Sequence, residues 1–438
     1  TAGGGLTITE INGQAIAVDG TVVLPNGTEI TLNADGTITV KSSADVTTNI
    51  MTYTIVDANG QTDTGYATII TSADTLGDGT VSGTAGDDVI DGTYQGDPES
   101  DRVDGGDAII VGDVDDDDLI LGLAGNDSIA AGDGNDEVYG GADNDTIDGD
   151  IGTDTLFGDA GTDTLFGGDG NDTLFGGADS DSLYGGEGAD TLEGGSGADV
   201  LNGGIGNDSI LGGEGSDQII LDAGFGTDTI DGTDDFGDAD VDVLDASSIT
   251  TSVTLDLSGS VPEAGTLTSG ANTATFENIE TVTLGSGDDS VTGSDGDDSV
   301  TAGTGADTIN MGAGNDTVDL GDGSPDLDAD VVVLQDGSDN DTILNFDAPT
   351  PNGDGTFTGI DTLDTTNLFD RPIGDVNRTP VLTNDVVVSD DGSGHALLTF
   401  PNGESVTLVG IDPTVADDPF FLNAIGIPMP DGTICGTS

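Results

Sequence analysis

A large apolar side chain recurs at every ninth position between residues 122 and 220, and the positions around it are mostly glycine or polar. The register has no gap over eleven units, of which GGDGNDTLF (167–175) and GGEGADTLE (185–193) are two. A repeat this short and regular predicts one short strand and one turn per unit, stacked into a solenoid. The apolar residues expected to form its core are Ile129, Val138, Ile147, Leu156, Leu165, Leu174, Leu183, Leu192, Leu201, Ile210 and Ile219.

The sequences on either side of the repeat alternate apolar and polar residues with a period of two, which predicts strands. Examples are EITLNADGTITV (29–40) and ALLTFPNGESVTLVGI (396–411), and no segment shows a convincing helical period. The fold class predicted is therefore all-β, with a parallel β-roll flanked by a small N-terminal β-sandwich module and a C-terminal β-rich domain. The expected boundaries are 1–73 for the sandwich, which is short enough to be incomplete, 74–121 for a degenerate repeat region, 122–231 for the main roll, 232–283 for a β-rich connector that continues the roll, 284–334 for a second repeat block and 335–438 for the C-terminal domain.

Each unit has the form G-G-x-G-x-D-x-U-x, in which U is the large apolar residue. Glycines at the first, second and fourth positions are expected to allow a tight turn with positive φ. The last three positions form a strand with its apolar side chain turned inward, so two units make one coil with a strand on each face. Stacked coils repeat every ~4.8 Å, which brings the sixth-position Asp residues of successive turns into columns.

The charge of the chain limits what can stabilise such columns. There are 86 acidic and 4 basic residues, a formal net charge of −82. This excludes nucleic acid, whose phosphates need Lys and Arg, and an anionic membrane surface. No stretch approaches the ~20 apolar residues of a membrane span.

A stack of these coils needs bound cations. Unit charges ~4.8 Å apart repel by ~1 kcal/mol even in water, and one apolar side chain per nine residues contributes only ~1.5–3 kcal/mol on burial. Carboxylates and turn carbonyls form an all-oxygen site that suits Ca²⁺ better than Mg²⁺. One His and one Cys in the whole chain do not suit Zn²⁺.

The units resemble the RTX (repeats-in-toxin, hemolysin-type) calcium-binding nonapeptides, which form a parallel β-roll. The resemblance implies multiple Ca²⁺ ions, each between turns n and n+2 on one edge, bound by sixth-position carboxylates and by carbonyls of the Gly-rich turns. The implied carboxylate ligands are Asp88, Asp127, Asp136, Asp145, Asp154, Asp163, Asp172, Asp181, Asp190, Asp199, Asp208, Asp217, Asp289, Asp298, Asp307 and Asp316. The implied turn glycines are Gly168, Gly170, Gly186, Gly188, Gly195, Gly197, Gly204 and Gly206.

Several units depart from this motif. The second position is Leu123, Asp150 or Asp159 in three units, the fourth is Asp143 or Asp179 in two, and the first is Ala131 in one. In the block 284–319 the first position is Leu284, Ala302 or Met311, which favours more coil and less metal ladder there. Two other interpretations stay open: a solvated Asp/Gly low-complexity chain, and a roll whose Asp residues only cap turns.

The flanking regions carry further resemblances. Residues 1–73 resemble the latter part of a bacterial cadherin-like or immunoglobulin-like adhesin repeat. The tail, through DVVVSDDGSGHALLTFPNGESVTLVGIDP and AIGIP, resembles the segment that precedes Hint autoprocessing domains. Together these features favour a secreted calcium-binding structural or adhesive protein of the cell surface, such as a surface-layer, filament or matrix component. RTX kinship implies type I secretion.

An enzymatic function is not predicted. His395 is the only His and is not part of an HExxH zinc motif, and no G-x-S-x-G elbow occurs. The alternative interpretation is the non-catalytic RTX portion of a larger secreted enzyme or toxin. The expected partner is calcium, and a second copy of the chain is a further candidate, with the apolar tail 419–434 as a donor segment.

Overall fold

A computed structural model of the chain describes residues 7–71 apart from 12–13, 17–20, 24–28, 33–37, 42–46 and 57–61, residues 80–90 apart from 85, and most of residues 117–427. Within 117–427 it does not describe 234–239, 260, 262, 322–328, 336–338, 348–349, 352–356, 359–360, 369–380, 384 and 418. The chain divides into two compact units, one of residues 1–80 with 97–101 and the other of residues 81–96 with 102–438.

Two antiparallel sheets make up the described part of the first unit. Its strands are β1 (Thr7–Ile11), β2 (Gln14–Ala15), β3 (Thr21–Val23), β4 (Glu29–Leu32), β5 (Ile38–Lys41), β6 (Thr47–Val56) and β7 (Thr62–Thr71). One sheet has the order β2-β1-β6-β7 and the other β3-β4-β5. The alternating Thr and Ile residues favour these strands. The likeness to a cadherin or immunoglobulin-like repeat stays a prediction.

Two sheets of fifteen strands each run through the second unit. Their strands up to the end of the main repeat are β8 (Thr80–Ser82), β9 (Val89–Ile90), β10 (Leu119–Ala124), β11 (Ser128–Asp133), β12 (Glu137–Ala142), β13 (Thr146–Ile151), β14 (Thr155–Ala160), β15 (Thr164–Asp169), β16 (Thr173–Ala178), β17 (Ser182–Gly188), β18 (Thr191–Ser196), β19 (Val200–Gly206), β20 (Ser209–Glu214) and β21 (Gln218–Ile220).

The later strands extend the same two sheets. They are β22 (Thr227–Asp231), β23 (Val243–Asp245), β24 (Thr254–Asp256), β25 (Gly265–Ser269), β26 (Asn272–Glu277), β27 (Thr281–Thr283), β28 (Ser290–Thr292), β29 (Ser299–Thr301), β30 (Thr308–Asn310), β31 (Thr317–Asp319), β32 (Val331–Val333), β33 (Asn340–Leu344), β36 (Thr362–Asp364), β37 (Val387–Asp390), β38 (Ala396–Thr399) and β39 (Ser405–Leu408), while β34 (Thr350–Pro351) and β35 (Phe357–Thr358) form a separate hairpin. The first sheet contains the even-numbered strands from β8 to β32 with β25 and β36. The second contains the odd-numbered strands from β9 to β33, except β25, with β37, β38 and β39.

Consecutive strands of the main repeat alternate between the sheets, so each strand pairs in parallel with the strand two units further on. Leu156 on β14 is in register with Leu174 on β16, and Leu165 on β15 is in register with Leu183 on β17. The eighth-position residues are at most 2% exposed and belong to one core. This is the predicted parallel β-roll, because two nine-residue units complete one coil and return the chain to the same sheet.

The two sheets differ in the connector between the repeat blocks. In the first sheet β24, β25 and β26 form an antiparallel meander between β22 and β28. In the second sheet β21, β23, β27 and β29 remain parallel throughout. Leu255, Leu267 and Phe276 of the meander belong to the same core as the repeats, so one hydrophobic core continues through the connector.

The roll ends in an antiparallel hairpin and two short helices. β33 pairs in parallel with β39. β39 pairs antiparallel with β38, and β38 pairs antiparallel with β37. The helices are α1 (Pro413–Ala416) and α2 (Pro419–Ala424), which the period analysis did not predict. Asp412 caps α1 by accepting the N–H of Thr414 at 2.7 Å.

The described part of the apolar tail packs against its own chain. Leu422, Ile425 and Ile427 are at most 3% exposed and belong to the roll core. The N–H of Leu363 on β36 donates to the carbonyl of Ile425 at 2.6 Å. Residues 421–427 therefore cover the end of the first sheet, which gives no support to their use as a donor for a second copy; residues 428–434 of the expected donor segment lie outside the described residues.

Candidate metal sites

The sixth-position Asp residues lie in two columns, because each precedes a strand and strands of one sheet stack in register. Within a column the backbone N–H of one Asp donates to Oδ1 of the Asp one coil further on. The N–H of Asp172 donates to Asp190 at 2.8 Å, and that of Asp181 donates to Asp199 at 2.7 Å. The first column, before first-sheet strands, contains Asp136, Asp154, Asp172, Asp190, Asp208, Asp289 and Asp307; the second contains Asp88, Asp127, Asp145, Asp163, Asp181, Asp199, Asp217, Asp298 and Asp316.

The other carboxylate oxygen of most column residues is buried and accepts no hydrogen bond. This holds for Oδ2 of Asp127, Asp145, Asp154, Asp163, Asp172, Asp181, Asp190, Asp199, Asp208, Asp217, Asp289 and Asp316. These residues are 1–3% exposed, and Asp136 and Asp307 are as deeply buried at equivalent positions. An unsatisfied buried acceptor costs ~1–3 kcal/mol, and more when it is charged. The columns thus hold negative charge that the described protein atoms do not neutralise.

In the units whose first position is glycine, that residue leaves room beside the unsatisfied oxygen. A Cβ added to Gly185 would lie 2.5 Å from Asp190 Oδ2 and 2.5 Å from the carbonyl oxygen of Gly203, one coil further on. A Cβ on Gly167 would meet Asp172 Oδ2 at 2.7 Å and the Gly185 oxygen at 2.5 Å. A carboxylate oxygen and a turn carbonyl therefore converge on one small cradle that any side chain would fill.

The expectation that the first-position glycines need positive φ was wrong. The described first-position glycines, among them Gly167 and Gly185, do not have positive φ. Close approach of the oxygens, and not a positive φ, favours glycine at this position, although Ala131, Leu284, Ala302 and Met311 occupy it in other units.

A positive φ favours glycine at the second position, and at the fourth position the close approach of the neighbouring coil favours it as well. φ is +109° at the second-position Gly186, and it stays positive at Leu123 (+82°) and Asp150 (+69°), so the turn persists in the departing units at the cost of strain. At the fourth position, a Cβ on Gly188 would lie 1.3 Å from the carbonyl oxygen of Gly170 in the preceding coil. The turn glycines expected to offer carbonyl ligands all lie in these stacked turns: Gly168, Gly170, Gly186, Gly188, Gly195, Gly197, Gly204 and Gly206.

Burial raises the pKa of most column carboxyl groups. The pKa reaches about 7 for Asp145, Asp154, Asp181, Asp190, Asp217 and Asp316, and about 6 for Asp163 and Asp289. The hydrogen bond from the preceding column N–H opposes this rise, and neighbouring Asp charges add to it, as Asp208 and Asp172 do for Asp190. Near neutral pH the metal-free columns would take up protons, whereas a bound cation would keep them ionised.

Asp88 and Asp298 differ from the other column residues, because a hydroxyl residue occupies the second position of their units. The N–H and hydroxyl of Thr84 donate to Asp88 Oδ2 at 2.6 and 2.8 Å. The N–H of Ser294 donates to Asp298 Oδ2 at 2.7 Å, and its hydroxyl donates to Oδ1 at 3.0 Å. The structure places both carboxylates in the second column but satisfies them within their own turns.

The columns also contain acids that the motif did not identify. The N–H of Asp208 donates to Asp228 Oδ1 at 3.0 Å, and that of Asp217 donates to Asp242 Oδ1 at 2.8 Å. Each of these two acids is followed by x-U-x, and the spacing to the preceding column residue differs from 18 residues, so D-x-U-x is the signal that remains. Among the described residues, the acids that the motif did not identify include Asp118, Asp228, Asp242, Glu280, Asp330, Asp341 and Asp361.

The donor set of the columns fits calcium. Carboxylate and backbone carbonyl oxygens are hard ligands that suit Ca²⁺, whose coordination tolerates irregular geometry, better than Mg²⁺, which demands an octahedron. The only His of the sequence, His395, lies on the C-terminal hairpin, where its Nδ1 accepts the N–H of Gly410 at 2.9 Å. A nitrogen- or sulfur-liganded metal therefore does not fit the columns.

Two stacked parallel sheets with columns of buried carboxylates define the molecule as a metal-binding β-roll. Residues 114–147, 148–183, 184–219 and 283–318 match the family model of the RTX calcium-binding nonapeptide repeat, in four copies. The RTX resemblance of the repeats is thereby confirmed, and these repeats are a calcium-binding and generally non-catalytic region. Comparison with curated proteins finds no match for the chain. Among the described residues, no helix is both long and apolar enough to cross a membrane.

Proposed function

We propose that this chain is a secreted structural or adhesive surface protein whose β-roll folds when Ca²⁺ binds. The observation that carries the proposal is the two columns of Asp residues, most of which are buried and have an Oδ2 that accepts no hydrogen bond. The sequence has 4 basic residues against 86 acidic ones. Its own side chains are therefore too few to neutralise the columns, and a cation has to come from solution.

The proposed ligands follow from the geometry of the turns. Oδ2 of a column Asp and the carbonyl of the first-position glycine one coil further on share one cradle, as Asp190 and Gly203 do. A Ca²⁺ ion supplies the positive charge that these oxygens lack, and it links one coil to the next. Because an unfolded chain does not hold this arrangement, the free energy of binding contributes directly to folding.

The Asp residues that fit this role best are those with an unsatisfied Oδ2. Asp88 and Asp298 fit it least, because Thr84 and Ser294 already donate to them. The additional column residues, such as Asp228 and Asp242, extend the proposed ladder beyond the nine-residue motif.

Calcium dependence also supports the proposed location. Extracellular calcium modules bind at ~10⁻⁴–10⁻³ M, far above the free concentration in a cytosol. The chain would then stay unfolded inside the cell and fold after export, and proteins with RTX repeats are typically exported by type I systems. A structural or adhesive role is supported by the roll itself, in which one core runs through both repeat blocks and the connector.

Circular dichroism with and without calcium tests the proposal. The metal-stripped full chain should lose most of its β signal at pH 8 and regain it on addition of millimolar Ca²⁺ but not Mg²⁺. Elemental analysis of the refolded chain should show several calcium ions per molecule. A full β signal in excess chelator, with no bound metal, would contradict the proposal.

A further inference from the structure

The residue directly before each column Asp makes a second set of contacts between coils. This fifth position of the unit is exposed in all the units of 122–220 and is most often Asn or Ser. Where it is Asn or Ser, its side chain can accept the N–H of the fifth-position residue one coil further on. The N–H of Ala189 donates to Asn171 Oδ1 at 2.8 Å, and that of Ala198 donates to Ser180 Oγ at 3.0 Å.

This hydrogen bond runs in the opposite direction to that of the column. The N–H of Ala189 donates to the earlier turn, on Asn171, whereas the N–H of Asp172 donates to the later turn, on Asp190, at 2.8 Å. We call these two opposed hydrogen bonds between the same two turns a turn clasp. Because one bond involves each of two consecutive residues, a clasp restrains both the separation and the register of the turns.

The turns that a clasp joins are the ones that form a calcium cradle. A Cβ on Gly167 would meet Asp172 Oδ2 at 2.7 Å and the carbonyl oxygen of Gly185 at 2.5 Å. Asp172 belongs to the turn of Asn171, and Gly185 belongs to the turn of Ala189. The clasp therefore holds together the two turns whose oxygens converge on this cradle.

The clasp is also present where the spacing between coils is irregular. Asn207 accepts the N–H of Thr227, 20 residues further on, at 2.9 Å, and Ser216 accepts that of Val241, 25 residues further on, at 2.8 Å. The acceptor is thus kept where the nine-residue period is lost. Among the described residues, the side chains that accept such a bond are those of Asp87, Asp117, Asn126, Asn135, Asn144, Asn171, Ser180, Asn207, Ser216, Asp288, Asp297 and Asn315.

The next pair of turns in the same column has a cradle but no clasp. Asp190 Oδ2 and the carbonyl oxygen of Gly203 converge beside Gly185, and the N–H of Asp190 donates to Asp208 at 2.9 Å. The fifth position of the earlier turn is Ala189, whose side chain has no acceptor. Two neighbouring cradles of one column therefore differ in whether the fifth-position bond accompanies them.

We propose that the fifth-position acceptors are positioning residues of the calcium sites. An Asn or Ser side chain is neutral, so its hydrogen bond needs no metal and fixes the two turns before an ion arrives. Ordering a site in advance lowers the cost of binding. The cradle of Asp172 should consequently bind Ca²⁺ more tightly than that of Asp190. This inference deepens the proposed function and rests on it.

Hydrogen exchange with mass spectrometry tests the inference for individual coils of the full chain. The chain is titrated with Ca²⁺ in sucrose, which favours the folded state. Asn171→Ala should raise the calcium midpoint of exchange of residues 185–190 about fivefold relative to that of residues 289–316. A fivefold change is about 1 kcal/mol, the net contribution of one hydrogen bond. Asn171→Ser should restore the midpoint, because Ser180 accepts the equivalent bond.

A gain of the acceptor supplies the opposite test. Ala189→Asn should lower the calcium midpoint of residues 203–208 by a similar factor, because it gives the next pair of turns a clasp. Ala189→Leu is the matched control, since Leu has the branching of Asn without an acceptor, and it should leave this midpoint unchanged. Both substitutions lie at an exposed position.

The outcomes separate this inference from the proposed function. Unchanged midpoints in Asn171→Ala and Ala189→Asn would overturn the positioning role while calcium binding by the columns still stands. A shift that residues 289–316 share equally would also overturn it, because it would show only a general loss of folding stability. A wild-type chain that folds without binding any Ca²⁺ would overturn the proposed function itself.

Discussion

Replacing Asp190 by Asn should change the stability of the roll in opposite directions with and without calcium. The side chain keeps Oδ1, which accepts the N–H of Asp172 at 2.8 Å. It loses the charge on Oδ2, which accepts no hydrogen bond, and places an amide N–H₂ next to the carbonyl of Gly203. Without metal the substitution removes a penalty, whereas with metal it removes a charged ligand.

The size of the first effect follows from the pKa of Asp190. Burial raises this pKa to about 7 from 3.8, and one pKa unit corresponds to about 1.4 kcal/mol. With screening by solvent allowed for, ionised Asp190 costs the metal-free roll about 2–4 kcal/mol at pH 8. In calcium, the loss of one carboxylate between two coils should raise the calcium midpoint of folding at least ~10-fold, since a factor of ten is about 1.4 kcal/mol.

The assay is circular dichroism at pH 8, first on the metal-free chain refolded with a stabilising osmolyte and then in a calcium titration. Asp190→Asn should fold at lower osmolyte concentration than the wild type but need more calcium. The control is Asp169→Asn, the same change at an exposed position of a neighbouring turn, and it should move neither midpoint appreciably. If Asp190→Asn lowers the metal-free stability, or shifts the calcium midpoint no more than Asp169→Asn does, the assignment of the columns as metal ligands is wrong.

Three further outcomes are expected. The folded pKa of residues such as Asp181 is about 7, above the ordinary 3.8, so their contribution to stability is present at low pH and lost as pH rises through 7. The metal-free chain should therefore gain β signal in circular dichroism when the pH is lowered from 8 to 5. No gain would show that the columns are not protonated on folding. Gly188→Ala should abolish calcium-induced folding of the central coils in hydrogen exchange, because its Cβ would lie 1.3 Å from Gly170 O, whereas Gly259→Ala, with nothing within 4 Å of its Cβ, should fold normally. Leu123→Gly should raise the melting temperature in calcium by relieving about 1 kcal/mol of strain at φ +82°, whereas Leu211→Gly, on a strand without positive φ, should lower it; a lower melting temperature for both would refute the strain.

The repeat could be interpreted from the sequence because its information is local and periodic. An apolar residue every ninth position specifies where each strand lies, and the Asp two residues before it then has to fall into a column with its neighbours. Leu174 and Asp172 show this directly, since both lie where the period places them. The glycines could be identified as turn residues by the same period. The physical reason for glycine at each position could not be predicted from the sequence, because the contact of Gly185 with Asp190 and Gly203 exists only when coils are stacked.

Features that depend on contacts distant in sequence escaped the motif. Asp228 and Asp242 follow the preceding residues of their columns, Asp208 and Asp217, by 20 and 25 residues. A search with a fixed period of 18 residues therefore does not find them. The meander β24–β26 preserves the core of the roll while breaking the parallel pattern of one sheet. Glu404 meets Asp339 across 65 residues only because β39 pairs with β33.

The amino-acid sequence by itself determined that this chain forms a roll of short strands with acidic turns, because strand length, turn position and charge are all written into a nine-residue unit. It also determined that the charge must be neutralised from solution, since four basic residues cannot balance 86 acidic ones. Only the tertiary structure decided which oxygens remain unsatisfied. Thr84 and Ser294 donate hydrogen bonds to Asp88 and Asp298 in their own turns, whereas most column residues have a buried Oδ2 that accepts no hydrogen bond. The physical reason is that burial and hydrogen bonding belong to the stacked coils and not to any single unit, so two turns with the same Asp differ in whether they have room and need for an ion.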